Sequence, residues 1–240
     1  MKLLEEMNWP EIEAGLGQTR TVILPVGATE EHGPHLPTFT DTLQAMQVAR
    51  AAAERCDIFL APPLHYGVCR STRGFPGTIT VGHDALRAFM QDLLLSFCDS
   101  GFENILILTG HAGGQHMAAL EEACQRALEE RYLRVSLVSL FDLIDIKAVE
   151  TPGDGHSGEI ETSLMMVIRK DLVKGRPEGH FPKRPRFMIL KDVRHLMGNG
   201  IMGNPALASP EKGKAFFEMA VQGVIQALEE LESFPGKREK

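Results

Sequence analysis

Leu24-Pro25-Val26-Gly27-Ala28-Thr29-Glu30-Glu31-His32-Gly33-Pro34-His35-Leu36-Pro37, with Asp41 four residues further on, joins an apolar run to a tight group of polar side chains. Thr21 to Val26 is apolar and β-branched enough to be a buried strand, and the chain turns at Gly27. The polar group therefore sits at a strand's end. In an extended segment residues two apart face the same side, so Glu30 and His32 converge on one point while Glu31 faces away. Asp41 stands where a helix should begin, after the turn residues Gly33, Pro34 and Pro37. Carboxylate, imidazole and a second carboxylate form a mixed oxygen and nitrogen set suited to zinc, manganese or iron. A polar loop closed by a capping Asp41 is the plainer alternative.

The segments that follow alternate in type. Thr42 to Cys56 carries a helical stripe of Leu43, Met46 and Ala49 to Ala53. Ile58 to Ala61 reads as a strand, His65 to Gly77 as a Gly- and Pro-bearing loop, and Thr78 to Val81 as a short β-like piece. Asp84 to Phe97 has its apolar residues at helical spacing, and Asn104 to Leu108 is a fully buried strand. Thr109-Gly110-His111-Ala112-Gly113-Gly114-Gln115-His116 then leads into a helix from about Met117 to Tyr132. Strand, Gly-rich turn and helix form the α/β arrangement in which ligands gather beyond the carboxyl ends of parallel strands, so His111 is well placed. Neither nucleotide-binding glycine pattern is present, and His116 is read as a polar residue at the helix start.

Val135 to Leu140 is a further strand, and Phe141 to Val149 a short helix. Pro152, Gly153, Gly155 and Gly158 break regular structure and place His156 on a loop ahead of a helix from Glu159 to Arg169. Glu161 lies among Ile160, Leu164 and Met165, where an acid is costly to bury without a partner; a metal is one such partner, and a first-turn acid favoured by the helix dipole is the alternative. Lys170 to Lys191 reads as a solvated basic loop. Ser209 and Pro210 supply the N-cap and first position of a last helix to about Leu231, and the tail from Pro235 should be mobile. Trp9-Pro10 opens a short helix before the first strand.

A 240-residue chain with 43% hydrophobic and 24% charged residues suits one globular domain, 1–240. No stretch is apolar for the roughly 18 residues of a membrane span, and the acidic Met1 to Glu6 lacks a secretory core, so a cytoplasmic protein is expected. Cys56, Cys69, Cys98 and Cys124 form neither a zinc ribbon nor a disulfide framework. A net charge of −7 argues against nucleic acid as a partner, and a small-molecule or peptide-like substrate is expected instead.

Taken together, Glu30-x-His32-Gly33-x-His35-Leu36-Pro37 with Asp41, Phe75-Pro76-Gly77-Thr78, Gly110-His111 and His156-x-Gly158-x-x-Glu161-Thr162-Ser163 resemble the creatininase, or creatinine amidohydrolase, family. The resemblance implies a three-layer α/β fold, a mostly parallel sheet with helices on both faces. It also implies two divalent metal ions per chain, hydrolysis of a carbon-nitrogen bond, and a homo-oligomer, often a hexamer. Carried over by position, Glu30 and His111 hold one ion, His32 the other, Asp41 bridges them, and His156 donates a proton to the leaving nitrogen.

Three departures mark this chain. Creatininase has a glutamate ligand two residues after the histidine matching His111; here that position is Gly113, and Glu161 is the candidate replacement. Many relatives carry Ser, Glu and His where this chain has Cys69, Ser71 and Thr72, and here Arg70 and Arg73 flank them, which points to an anionic substrate. Creatininase surrounds its substrate with tryptophans, whereas Trp9 is the only one here, so creatinine is not the expected substrate. A small amide, formamide or peptide-like substrate is expected, with ring-opening carbon-carbon hydrolysis of a keto-sugar, or metal binding without turnover, as the alternatives.

Overall fold

The computed structural model describes residues 1–183, 185 and 187–235, so most of the expected mobile tail lies outside the described residues. Strands β1 (Lys2–Leu3), β2 (Thr21–Val26), β3 (Phe59–Leu60), β4 (Asn104–Thr109) and β5 (Arg134–Ser139) run parallel in the order β1-β3-β2-β4-β5. β2 and β4 are central and buried at all six positions each, which is why both read as continuous apolar runs.

Successive side chains of these strands enter different layers. Ile23, Leu106 and Leu108 pack with α2 (Thr40–Cys56), α5 (Glu159–Ile168) and α6 (Pro210–Ser233). Val22, Leu24, Val26, Ile105 and Ile107 pack with α3 (His83–Asp99) and α4 (Gly114–Glu130). The result is the three-layer α/β fold implied by the resemblance. Helix α1 (Trp9–Leu16) adds Ile12 and Leu16 to the second layer, its start fixed by an Asn8–Glu11 capping box with Pro10 in the first turn.

The chain leaves β2 through α2 towards β3, and leaves β4 through α4 towards β5 on the opposite side. The carboxyl ends of β2 and β4 therefore flank a topological switch point, where open α/β sheets bind ligands. Glu30, His32 and Asp41 follow β2, and His111 follows β4.

Several local expectations need correction. Helix α2 begins at Thr40, so Asp41 lies inside its first turn instead of before it. Ile79 makes one bridge to Thr29 instead of a strand over 78–81. The segment 141–149 is two short 3₁₀ turns, Leu140–Leu143 and Ile146–Ala148. The edge strand β1 was not anticipated, being only two residues long with no period to read.

The switch point is close-packed through backbone. A Cβ added at Gly110 would lie 2.1 Å from the carbonyl oxygen of Asp41, so the end of β4 and the first turn of α2 touch without a side chain between them. Gly110→Ala should cost about 1–3 kcal/mol through overpacking. Gly114→Ala, with nothing within 4 Å of the new methyl, should stabilise by about 0.4–1 kcal/mol. Denaturant midpoints of the metal-free protein compare the two; equal midpoints would contradict the tight backbone contact.

Candidate metal centre

Glu30, His32, Asp41, His111 and Glu161, together with His156, are all brought together in the structure and are all buried. His32 Nε2 lies 2.8 Å from Asp41 Oδ1 and 3.2 Å from Glu161 Oε1. On the other side of Asp41, His111 Nδ1 lies 2.9 Å from Glu30 Oε2 and 3.2 Å from Asp41 Oδ2. Asp41 thus offers one oxygen to each histidine. Glu30 Oε2 and Asp41 Oδ2 accept no hydrogen bond although both are buried. Each ring nitrogen is thus shared between two carboxylates, His32 Nε2 between Asp41 and Glu161 and His111 Nδ1 between Glu30 and Asp41, a convergence of donor atoms that a cation can also fill.

Two donor groups can be distinguished among the described residues. Glu30, Cys69 and His111 place their donor atoms within 4.8 Å of one another, and so do His32, His156 and Glu161. Both groups fit divalent metals by donor chemistry.

The charges agree with that fit. Burial alone would lower the His32 pKa, but Asp41 and Glu161 override it and hold the ring well above the ordinary histidine range. His111 is raised in the same way by Glu30 and Asp41. Burial would raise Glu30, yet the His111 and His156 charges bring it down to about 2. Protonated imidazoles therefore balance the buried carboxylates, a role that metal cations take over when they bind.

Outer partners orient this set. His32 Nδ1–H donates to the Glu30 carbonyl at 3.0 Å, leaving Nε2 to face Asp41 and Glu161. Thr72 donates to Glu30, and the Ser157 backbone N–H donates to Glu161. His156 Nε2–H donates to the Glu31 carbonyl at 2.8 Å, with a Glu31 carboxylate oxygen 3.6 Å away. Glu31 does turn away from Glu30, but it is buried beside His156 instead of facing solvent. The His156 loop is paired with residues 198–205 through Met202, whose N–H donates to the His156 carbonyl at 2.8 Å.

His116 does lie at the helix start, in the first turn of α4, but it is fully buried. His111 Nε2–H donates to the Val68 carbonyl at 3.1 Å, and the Val68 N–H donates to His116 Nδ1 at 3.3 Å. His116 Nε2–H reaches Thr109 Oγ1 at 3.2 Å, and that hydroxyl donates to the His111 carbonyl at 2.9 Å. The circuit places the His111 proton on Nε2 and leaves Nδ1 as the donor atom facing Glu30 and Asp41. Burial, with the charge of His111, lowers the His116 pKa to about 3, so the ring stays neutral and serves the circuit as one donor and one acceptor. Nothing in the one-dimensional spacing of His116 marks this role; only its contact with Val68 reveals it.

A cleft of about 200 Å³ opens onto these residues, lined among others by Glu30, Asp41, His111, His156, Glu161 and Phe141. Gly113 also lines it, and a Cβ there would lie 2.7 Å from His111 Nε2. A ligand-bearing side chain at position 113 is incompatible with this placement of His111. Arg70 and Arg73 are exposed and outside the cleft wall, whereas Ser71 between them lines it. Trp9 is 75% exposed and lines a separate apolar groove of about 420 Å³ that shares no residue with the cleft and contains no titratable side chain.

A family model described as creatinine amidohydrolase matches residues 5–228. Creatinine amidohydrolase of Pseudomonas putida is 30% identical over 251 residues, covering 94% of this chain and 95% of the relative. The mycofactocin precursor peptide peptidase of Mycolicibacterium smegmatis is 31% identical over 219 residues, covering 86% and 83%. The crystal structure of a creatinine amidohydrolase superposes with a TM-score of 0.87 at 26% identity, covering 98% of each chain.

Metal uptake should release protons, because His32 and His111 are held protonated by the buried carboxylates while a metal takes only the neutral ring. Affinity should rise with pH through the histidine range. In the metal-free protein these raised pKa values stabilise the fold below the ordinary histidine pKa, and that contribution is lost as pH rises through the folded values. Calorimetry in buffers of different ionisation enthalpy measures the release; a proton count of zero would contradict this charge state. Separately, His116→Phe should weaken binding at the Glu30–His111 group by roughly 10–100-fold. Unchanged affinity in a folded variant would remove His116 from the circuit.

Proposed function

The chain belongs to the creatinine amidohydrolase family, and from that premise we propose that it is a dinuclear metal-dependent hydrolase cleaving a carbon-nitrogen bond of a small amide, formamide or peptide-like substrate other than creatinine. The observation that carries this reading is the pair of buried carboxylate oxygens, Glu30 Oε2 and Asp41 Oδ2, that converge on His111 Nδ1 at 2.9 and 3.2 Å beside a cleft and have no other partner among the described residues. Glu30, Asp41 and His111 would hold one ion, and His32, Asp41 and Glu161 the other. When bound there, two such ions, zinc, manganese or iron, would supply a lowered pKa for a water and polarisation of the substrate carbonyl.

The protein's own groups supply the rest. Thr72 and Ser157 hold the carboxylates of Glu30 and Glu161 in place, and the close packing of the cleft excludes bulk solvent from them. His156 is the proton donor. Burial and the His32 charge lower its pKa, but Glu30, Glu31 and Glu161 outweigh them and raise it above the ordinary histidine value in the metal-free protein. The substrate C–N bond breaks, the carbonyl carbon gains the water oxygen, and His156 delivers a proton to the departing nitrogen, giving a carboxylate and an amine.

A cleft of about 200 Å³ is small beside the roughly 300–1,000 Å³ of drug-sized sites, so it admits the group around the scissile bond and leaves the remainder outside. Similarity to a peptide peptidase supports this shape of substrate. With no tryptophan lining the cleft, a creatinine ring would lack the aromatic enclosure expected for it. Arg70 and Arg73 flank Ser71 at the rim, where they would meet an anionic part of the substrate. The exposed run Phe187, Met188 and Ile189 supports assembly into a homo-oligomer, with a hexamer as the family expectation. None of the described helices is long and apolar enough to cross a membrane.

Amine release from a panel of formamides, lactams and short peptides tests the activity on metal-loaded protein. His156→Asn should lower kcat by about 10²–10⁴-fold with metal content unchanged, and should remove one limb of the pH profile. Loss of an ion in that variant would instead make His156 a ligand, as its place beside His32 and Glu161 also allows. Glu161→Gln should lower occupancy of one ion, and Arg70→Lys with Arg73→Lys should raise KM alone. Full metal retention without amine from any substrate would favour a binding protein.

A further inference from the structure

We infer that Cys69 is a thiolate ligand of the ion held by Glu30 and His111, so that the two metal positions differ in kind: one thiol-bearing and zinc-selective, the other built only from nitrogen and oxygen. The inference deepens the dinuclear reading above and rests on it.

Cys69 is fully buried, and its sulfur lies within 4.8 Å of donor atoms of both Glu30 and His111. It is also fixed in place. Its backbone N–H donates to Thr80 Oγ1 at 2.9 Å, and the preceding Val68 is tied to His111 through its carbonyl and to His116 through its N–H. The segment that carries the thiol is therefore the segment that orients His111. Among the described residues, the only hydrogen-bond contact of the sulfur is a long one of 3.8 Å to the Gly67 carbonyl. Glu30 Oε2 is buried and, among the described residues, has His111 Nδ1 at 2.9 Å as its one polar partner, so the thiol stands beside a carboxylate with a free coordination direction.

The donor sets then differ in softness. Glu30, Cys69 and His111, with Asp41, make an O₂SN set, and thiolate ligands favour zinc over manganese or magnesium. His32, His156 and Glu161 contain no sulfur and suit harder ions as well. Binding exchanges one bond for another: the S–H bond breaks, its proton leaves to solvent, and a sulfur-metal bond forms, with no change in oxidation state. Full burial separates this role from that of an exposed redox thiol, which needs solvent access.

Cobalt(II) chloride added to the metal-free full-length chain tests this directly. The first equivalent should produce a sulfur-to-cobalt charge-transfer band in the near ultraviolet, absent in Cys69→Ser and retained in Cys124→Ser. Competition between zinc and manganese, read by metal analysis, should show Cys69→Ser losing zinc preference at one position by at least the roughly 10–100-fold that loss of an outer partner costs. Because the band is read on the unaltered chain, a variant that fails to fold does not protect the inference. Two bound ions with no charge-transfer band, and equal selectivity in a folded Cys69→Ser, would overturn it while leaving the dinuclear reading intact. Failure of the unaltered chain to hold any ion tightly would overturn the dinuclear reading itself.

Discussion

Glu30, Asp41 and Glu161 are each at most 2% exposed, and an isolated carboxylate in such a place is too costly to persist. His32 and His111 lie between them and are raised to carry compensating charge. The apolar framework makes this concentration tolerable. β2 and β4 are locked in a six-residue parallel register, and the backbone contact of Gly110 with Asp41 joins the end of β4 to the start of α2. Removing one partner would leave the remaining charges unmatched, so the cluster is mutually dependent.

The loops around it are held by backbone groups more than by side-chain pairs. Asp154 accepts from the N–H groups of Glu159 and Ile160 at 2.8 and 2.9 Å and so caps the helix that carries Glu161. Burial raises the Asp154 pKa to about 6 even against those two bonds, which shows how dry the start of α5 is. Gln44 Nε2–H donates to the Glu161 carbonyl at 3.0 Å, and His35 meets Thr162 at 2.8 Å, so α2 and the loop after β2 both grip α5. The metal-facing residues thus belong to one packed unit although they come from distant parts of the chain.

Much of this was legible in the sequence. The buried strands were visible because central parallel strands are apolar at every position, and Glu30, His32 and His111 stood out because each follows such a strand. Glu161 was legible as an acid that an apolar helix could not bury alone. What escaped depended on contacts between segments far apart in the chain. Thr72, His116 and Asp154 look like ordinary loop or helix-start polar residues, and their roles come from Glu30, Val68 and the α5 backbone respectively. Arg70 and Arg73 illustrate the converse: their charge was visible, but in the fold both are exposed and neither lines the cleft.

Gly113 and Glu161 both line the cleft. With a bare backbone at 113, the His111 ring can lie within 2.7 Å of where a Cβ would be, and from there its Nε2–H reaches the Val68 carbonyl. That contact draws residues 67–69 against the site and brings the Cys69 sulfur near Glu30. Glu161 lines the same cleft, fixed by the Ser157 N–H and the α5 helix. A helix-borne acid is positioned by the core, because α5 packs against α6 through Ile160, Leu164 and Phe216. An acidic donor on that helix would therefore tie one side of the candidate metal centre to the hydrophobic core.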